Sequence, residues 1–126
     1  MRLTGLEPDI DWASWLRRWD AQQEGYVPER EVRFSAMLDV LDELLGESFV
    51  ALDLGCGPGS ISQRLLARFP SAQAIAVDID PVLLAIGRGA VGTLDGRLRW
   101  VQADLESPVP MHHLPVQVRR RDRPRG

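Results

Sequence analysis

The densest chemistry in the chain sits in seven consecutive residues, Asp53-Leu54-Gly55-Cys56-Gly57-Pro58-Gly59. The run that leads into them, Phe49 to Leu54, is apolar except for Asp53, the pattern of a strand buried on both faces. Ile61, Leu65, Leu66 and Phe69 follow at helical spacing, and Pro70 closes that helix. A glycine turn between a buried strand and a helix lets the backbone approach a ligand with no Cβ in the way. As a Gly-x-Gly-x-x-Gly loop it aligns as Gly55, Gly57 and Ser60, an imperfect match that is a weak signal taken alone.

Charge separates the ligands such a loop could take. A pyrophosphate would bring about two negative charges to the helix N-terminus, where Asp53 repels it and would attract a cation instead. S-adenosylmethionine has that character, with a sulfonium and an ammonium beside one carboxylate. Two further acids fall in register. Asp78 lies 23 residues after Gly55, closing a short apolar strand from Gln73 to Val77, at the separation of a carboxylate that accepts from both ribose hydroxyls. Asp104 closes a third strand, Leu98 to Ala103, and can reach an adenine amino group.

The elements that must position these residues are legible in outline. Trp12, Trp15, Leu16 and Trp19 form one helical stripe within residues 10–20, and the segment Ala21 to Val27 breaks that pattern. Pro28 is placed to open a second helix as its first residue, which Phe34, Met37, Leu38, Leu41, Leu44 and Leu45 continue until Gly46 stops it. Asp80 reads as an N-cap ahead of Pro81, and Val82, Leu83, Leu84 and Ile86 carry a helix to the region of Gly87 and Gly89. A loop from Gly92 to Gly96 then leads into the third strand. Strand, helix, strand, helix, strand with short connections implies an α/β, Rossmann-like parallel sheet with helices on both faces, incomplete at about three strands and preceded by a helical cap. In such sheets ligands bind outside the carboxyl ends of the strands, where Asp53, Asp78 and Asp104 all fall.

These motifs resemble those of the class I S-adenosylmethionine-dependent methyltransferases. The resemblance covers Phe49 to Leu105 and rests on Val50-Ala51-Leu52-Asp53-Leu54-Gly55-Cys56-Gly57-Pro58-Gly59, Ala76-Val77-Asp78-Ile79-Asp80-Pro81 and Gln102-Ala103-Asp104-Leu105, in that order. It implies that Gly55 and Gly57, with Cys56 and Gly59 in the same loop, pass under the methionine moiety of the cofactor. Asp78 would then hold the ribose, Ile79 would pack on adenine, and Asp104 with the Leu105 backbone would read its polar edge. Asp53 would order the ammonium end. In the cap, Gln23, Tyr26 and Arg30 lie where they could touch the methionine carboxylate or the substrate. No catalytic base can be named, because in this family such residues usually follow a fourth strand.

Other residues have plainer readings. Cys56 is a loop spacer with no histidine nearby in sequence, so a small packed residue is expected rather than a nucleophile. Asp80 is expected only to cap a helix, and the tryptophan stripe to pack in the core or lid. His112 and His113 have no partner of metal-ligand type, so no metal site is expected, and with one cysteine an internal disulfide is excluded. No apolar run approaches the roughly 18 residues of a membrane span, the N-terminus is no signal peptide, and a reducing cytoplasm fits. All 15 basic residues are Arg; residues 113–126 hold five of them against one Asp, so the rest of the 126-residue chain carries a net charge of −7. An acidic body argues against nucleic acid and leaves a small-molecule acceptor as the expected partner.

Residues 1–48 are thus expected to form the cap, 49–107 the cofactor-binding half-domain, and 108–126 an irregular Arg- and Pro-rich tail, disordered in composition. The family fold has about seven strands, which at roughly 30 residues per strand–helix unit needs about 200 residues. After Ser107 no fourth strand is evident, and the expectation is a truncated or frameshifted end rather than a native basic tail. The first strand would then have an exposed edge and could self-associate. The rivals are an NAD-dependent oxidoreductase half-domain and a non-catalytic homologue that acts through partner binding.

Overall fold

Three strands, β1 (Val50–Leu54), β2 (Gln73–Asp78) and β3 (Leu98–Gln102), form a parallel sheet in the order β1-β2-β3. The computed structural model describes residues 9–106, so the expectations for Met1 to Pro8 and for residues 107–126, including His112, His113 and the arginine-rich end, lie outside the described residues. The register pairs Asp53 with Ala76, and Ala76 with Trp100, so the strands end level with one another. Side chains alternate across a sheet, which puts Ala51 and Asp53 on the same face as Ala74, Ala76, Leu98 and Trp100.

Two crossover helices, α3 (Ser60–Arg68) and α4 (Pro81–Ala90), cover that face. Leu65 and Leu66 of α3 and Leu84 of α4 join Phe49, Phe69, Ala74, Ala76 and Leu98 in one buried cluster. Strands that advance in one direction through crossovers of one hand keep both connecting helices on one side. Ala74 and Ala76 of β2 let the helices approach closely, and both are buried. Arg97, just before β3, donates to the carbonyls of Leu66, Phe69 and Ala72; the Leu66 carbonyl has no helical amide to accept from, because Pro70 stands four residues on.

Two helices precede the sheet, α1 (Trp12–Tyr26) and α2 (Arg30–Leu45). α1 runs past Ala21, where the apolar stripe ends, because Ala, Gln and Glu favour helix without any need for burial. Trp15 does not share the burial of the stripe: it is 47% exposed, with the Arg18 guanidinium 4.4 Å from its ring. α2 starts later than Pro28 suggests, since Glu29 takes a left-handed conformation at the N-cap (φ 59°) and sets the turn between the helices. Gly46 ends α2, and Asp80 caps α4 by accepting from the amides of Val82 and Leu83.

Gly87 and Gly89 lie inside α4 rather than after it. Glycine weakens a helix, but here each makes room for an indole: a Cβ on Gly87 would overlap the Trp100 ring, and one on Gly89 would overlap Trp12. Trp100 also donates from Nε1 to the Gly92 carbonyl at 2.9 Å. No helix among the described residues is long and apolar enough to cross a membrane. Gly87→Ala gains helix propensity yet drives a methyl into Trp100 and to 2.8 Å from the Pro58 carbonyl. The expected result is a net destabilisation of about 1–3 kcal/mol in urea unfolding, against a small stabilisation if the indole simply moves aside.

Candidate functional site

The glycine loop leaves the carboxyl end of β1 and is stitched to β2 from beneath. The Cys56 amide donates to the Val77 carbonyl at 2.9 Å and the Gly57 amide donates to Asp78 Oδ2 at 2.8 Å. Asp78 Oδ1 accepts from the Asp80 amide at 2.9 Å, so one carboxylate holds both the loop and the turn into α4. A carboxylate has about four acceptor positions, so Asp78 keeps capacity for further donors. Gly55, Gly57 and Gly59 all have positive φ (69°, 55° and 82°), which explains three glycines in five residues. Their surroundings differ. Gly59 is packed under Trp100, and Gly57 lies against Trp19, whose Cζ2 would be 3.6 Å from a Cβ built there. Gly55 faces open space, with nothing within 4 Å of such a Cβ.

At and after the carboxyl ends of the strands, and at the start of α4, stand aliphatic side chains that a folded core would normally hide. Leu54 is 56%, Ile79 57%, Val82 65% and Leu105 52% exposed. Asp53 lies below, half-buried, and its Oδ2 accepts from the Ser62 hydroxyl at 2.7 Å. Burial pushes its carboxyl above the usual range, the Ser62 bonds pull it back, and the charge of Asp78 raises it further. Burial, with Asp53 and Asp78 nearby, pushes the Cys56 thiol up to about 12. The thiol is therefore protonated at neutral pH, and it donates to the Gly57 carbonyl at 3.1 Å.

The structure thus brings Asp53, Gly55, Cys56, Gly57, Gly59, Asp78 and Ile79 together at the carboxyl ends of β1 and β2. Asp104 and Leu105 follow β3 and are exposed, with Asp104 Oδ1 accepting from the Glu106 amide at 2.9 Å. Tyr26 stands 72% exposed at the end of α1. Arg30 is buried and spent on Asp20, its Nη1 2.8 Å from Oδ1. Trp19, Asp20, Ser60 and Ser62 belong to the walls of the site; the sequence marks Trp19 only as part of the tryptophan stripe and Ser60 only as the third position of an imperfect loop match, and gives Asp20 and Ser62 no role at the site. Ser60 and Ser62 carried a signal, since polar residues on the core side of a helix are rarely left without a partner. No group of three or more His, Cys, Asp or Glu side chains suited to a metal ion comes together among the described residues.

A family profile described as a methyltransferase domain matches residues 51–118, just over half of the chain. The chain belongs to the class I S-adenosylmethionine-dependent methyltransferases. Among curated relatives, trans-aconitate 2-methyltransferase of Azoarcus sp. (strain BH72) is 34% identical over 93 residues, covering 73% of this chain and 34% of that protein. Release factor glutamine methyltransferase of Cereibacter sphaeroides is 36% identical over 99 residues, with 76% and 34% covered. The chain thus spans about a third of the length of these relatives. Among solved structures, the methyltransferase domain of bacterial CtHen1 superposes with a TM-score of 0.50 at 23% identity, covering 58% of this chain and 40% of that one, which supports the fold.

The environment of Asp53 has a measurable consequence. A carboxyl whose folded pKa is raised above its ordinary value near 3.8 favours the folded state while protonated and loses that advantage as pH rises through the raised value. Asn at position 53 can still accept from Ser62 and has no charge to bury. Asp53→Asn is therefore expected to stabilise the protein at pH 7.5 and to lose that advantage toward pH 3.5, as read by urea unfolding at both values; an equal effect at both would contradict the burial argument.

Proposed function

We propose that residues 49–106 bind S-adenosylmethionine and serve methyl transfer to a small-molecule acceptor. One juxtaposition carries the reading: an open, left-handed Gly55 beside the pinned carboxylate of Asp78, with a second acid, Asp53, behind the loop. The residues fit the cofactor on three counts. The space over Gly55 is where a Cβ would intrude, Asp78 has acceptor capacity for a pair of ribose hydroxyls, and Leu54, Ile79, Val82 and Leu105 offer apolar surface suited to an adenine ring. The two acids favour a cationic ligand over a pyrophosphate, which weighs against NAD.

Bound S-adenosylmethionine supplies a methyl group on a sulfonium, primed for in-line displacement. The chain's part is to bind and orient. Asp78 fixes one end, the glycine loop admits the ligand close to the backbone, and Asp53 answers positive charge near the strand end. Asp104, held by the Glu106 amide through one oxygen, has the other free to accept from an exocyclic amine. Catalysis of this kind is mostly positioning and electrostatics. The acceptor class rests on the relatives of the Azoarcus kind, named for trans-aconitate, a small carboxylic acid, whereas the Cereibacter relative is named for a glutamine of a release factor.

Calorimetric titration with S-adenosylhomocysteine and with NAD tests the reading. The expected result is binding of the former only, weakened at least about tenfold in Asp78→Ala, the loss of one or two charge-assisted hydrogen bonds. A preference for NAD, or Asp78→Ala binding as tightly as wild type, would overturn it.

A further inference from the structure

Among the described residues α2 of the cap is tied to α3 by the pairs of Arg64 with Glu31 and of Arg68 with Asp39 and Asp42, whereas the polar contacts of α1 with α3 converge on a single carboxylate beside the glycine loop. Asp20, midway along α1, accepts at Oδ1 from Arg30 Nη1 at 2.8 Å and from the Ser60 hydroxyl at 2.7 Å, while Arg64 Nη2 lies 3.7 Å from Oδ2. Arg30 is the first residue of α2, and Ser60 is the first of α3, directly after Gly59. Three elements therefore meet on Asp20. Arg64 extends the set by donating from Nε to both oxygens of Glu31 at 2.9 Å and from Nη1 to the Ser60 carbonyl at 2.8 Å.

The neighbour of this carboxylate in the chain is Trp19, whose side chain lies against Gly57. The first half of α1 is anchored by packing, with Leu16 7% exposed and Trp12 over Gly89. After Asp20 the helix is mostly exposed to its end at Tyr26. The glycine loop itself draws its shape from β2, through the Cys56 and Gly57 amides, and does not need Asp20 to hold it. What Asp20 adds is the position of Trp19 and of the second half of α1.

We infer that Asp20 is a positioning residue, a latch that holds the helical cap against the glycine loop and so governs how long the cofactor stays bound; the inference rests on the cofactor reading above. Without the latch, α1 would pivot about its packed first half and withdraw Trp19 from Gly57. Arrival of the cofactor needs no such contact, so the latch acts on departure.

The test uses the full chain as wild type, Asp20→Asn and Ser60→Ala, the second of which keeps the Arg30 pair. Hydrogen exchange of the ligand-free protein reads the cap directly, and stopped-flow displacement of S-adenosylhomocysteine reads its dissociation. In Asp20→Asn, exchange in residues 17–26 is expected to rise about tenfold with β2 and β3 unchanged, and dissociation to quicken about tenfold with association within about threefold. Ser60→Ala is expected to move both in the same direction by less. Unchanged dissociation in both variants overturns the latch alone, as does exchange that rises equally in cap and sheet. Failure of the wild-type protein to bind S-adenosylhomocysteine removes the cofactor reading, and this inference with it.

Discussion

The carboxylate of Asp78 is the joint on which the site depends. It sits where β2 ends, and its two oxygens take one amide from the glycine loop after β1 and one from the turn into α4. The loop after β1 is thereby fixed to the end of β2, 21 residues on, and to the turn that follows it, to about the length of a hydrogen bond. A charge-assisted acceptor is suited to this, because the bonds it makes to backbone amides are shorter and stronger than neutral ones. The loop can then use left-handed conformations at Gly55, Gly57 and Gly59 and still have a single shape, since the freedom glycine brings is removed by bonds to β2. A preorganised loop spends little ligand affinity on ordering itself.

Around that joint the packing solves a second problem, how to seat large aromatic rings in a thin three-stranded layer. Trp100 projects from β3 into a slot bounded by Gly59 and Gly87, and Trp12 lies on Gly89. Each indole is accommodated by removing side chains opposite it rather than by spreading the elements apart. The glycines of α4 thus serve packing while those of the loop serve conformation, and of the three loop glycines Gly55 alone has nothing within 4 Å of a Cβ built on it.

Much of this was legible in the sequence, and the parts that were not share a cause. Buried strands announce themselves by apolar runs, and glycine and proline punctuate the connections, so β1, β2, β3, α3 and the parallel order follow from local pattern. The three acids fall at strand ends and are equally plain. The end of α1 is not, because Ala21 to Glu24 continue the helix by propensity alone with no apolar period to mark it. Gly87 and Gly89 read as a helix end when their partners, Trp100 and Trp12, are distant in sequence. The cap contacts are harder still: Asp20 meets residues 10 and 40 positions away, and no spacing rule connects them. Arg30 illustrates the limit, since an arginine placed to face a ligand is instead paired inside the cap.

The remaining question is why the fold keeps Asp53 at all. Its carboxyl is desolvated, feels the like charge of Asp78, and among the described residues has only the Ser62 hydroxyl as a side-chain partner. Stability alone would favour an amide there, or an aliphatic residue like those before it in β1. The α3 N-terminus relieves part of the strain, since the positive end of a helix attracts negative charge, but a helix end does so for either acid and does not require two. Two carboxylates held close at a rim that is otherwise glycine and exposed aliphatic surface make a field of one sign with no cation among the described residues that faces them in a hydrogen bond or ion pair. On the proposed function that imbalance is corrected on binding, because the ligand carries the missing positive charge. The energy forgone in holding two acids at one rim then reappears as affinity, and as selectivity against ligands that bring phosphate instead.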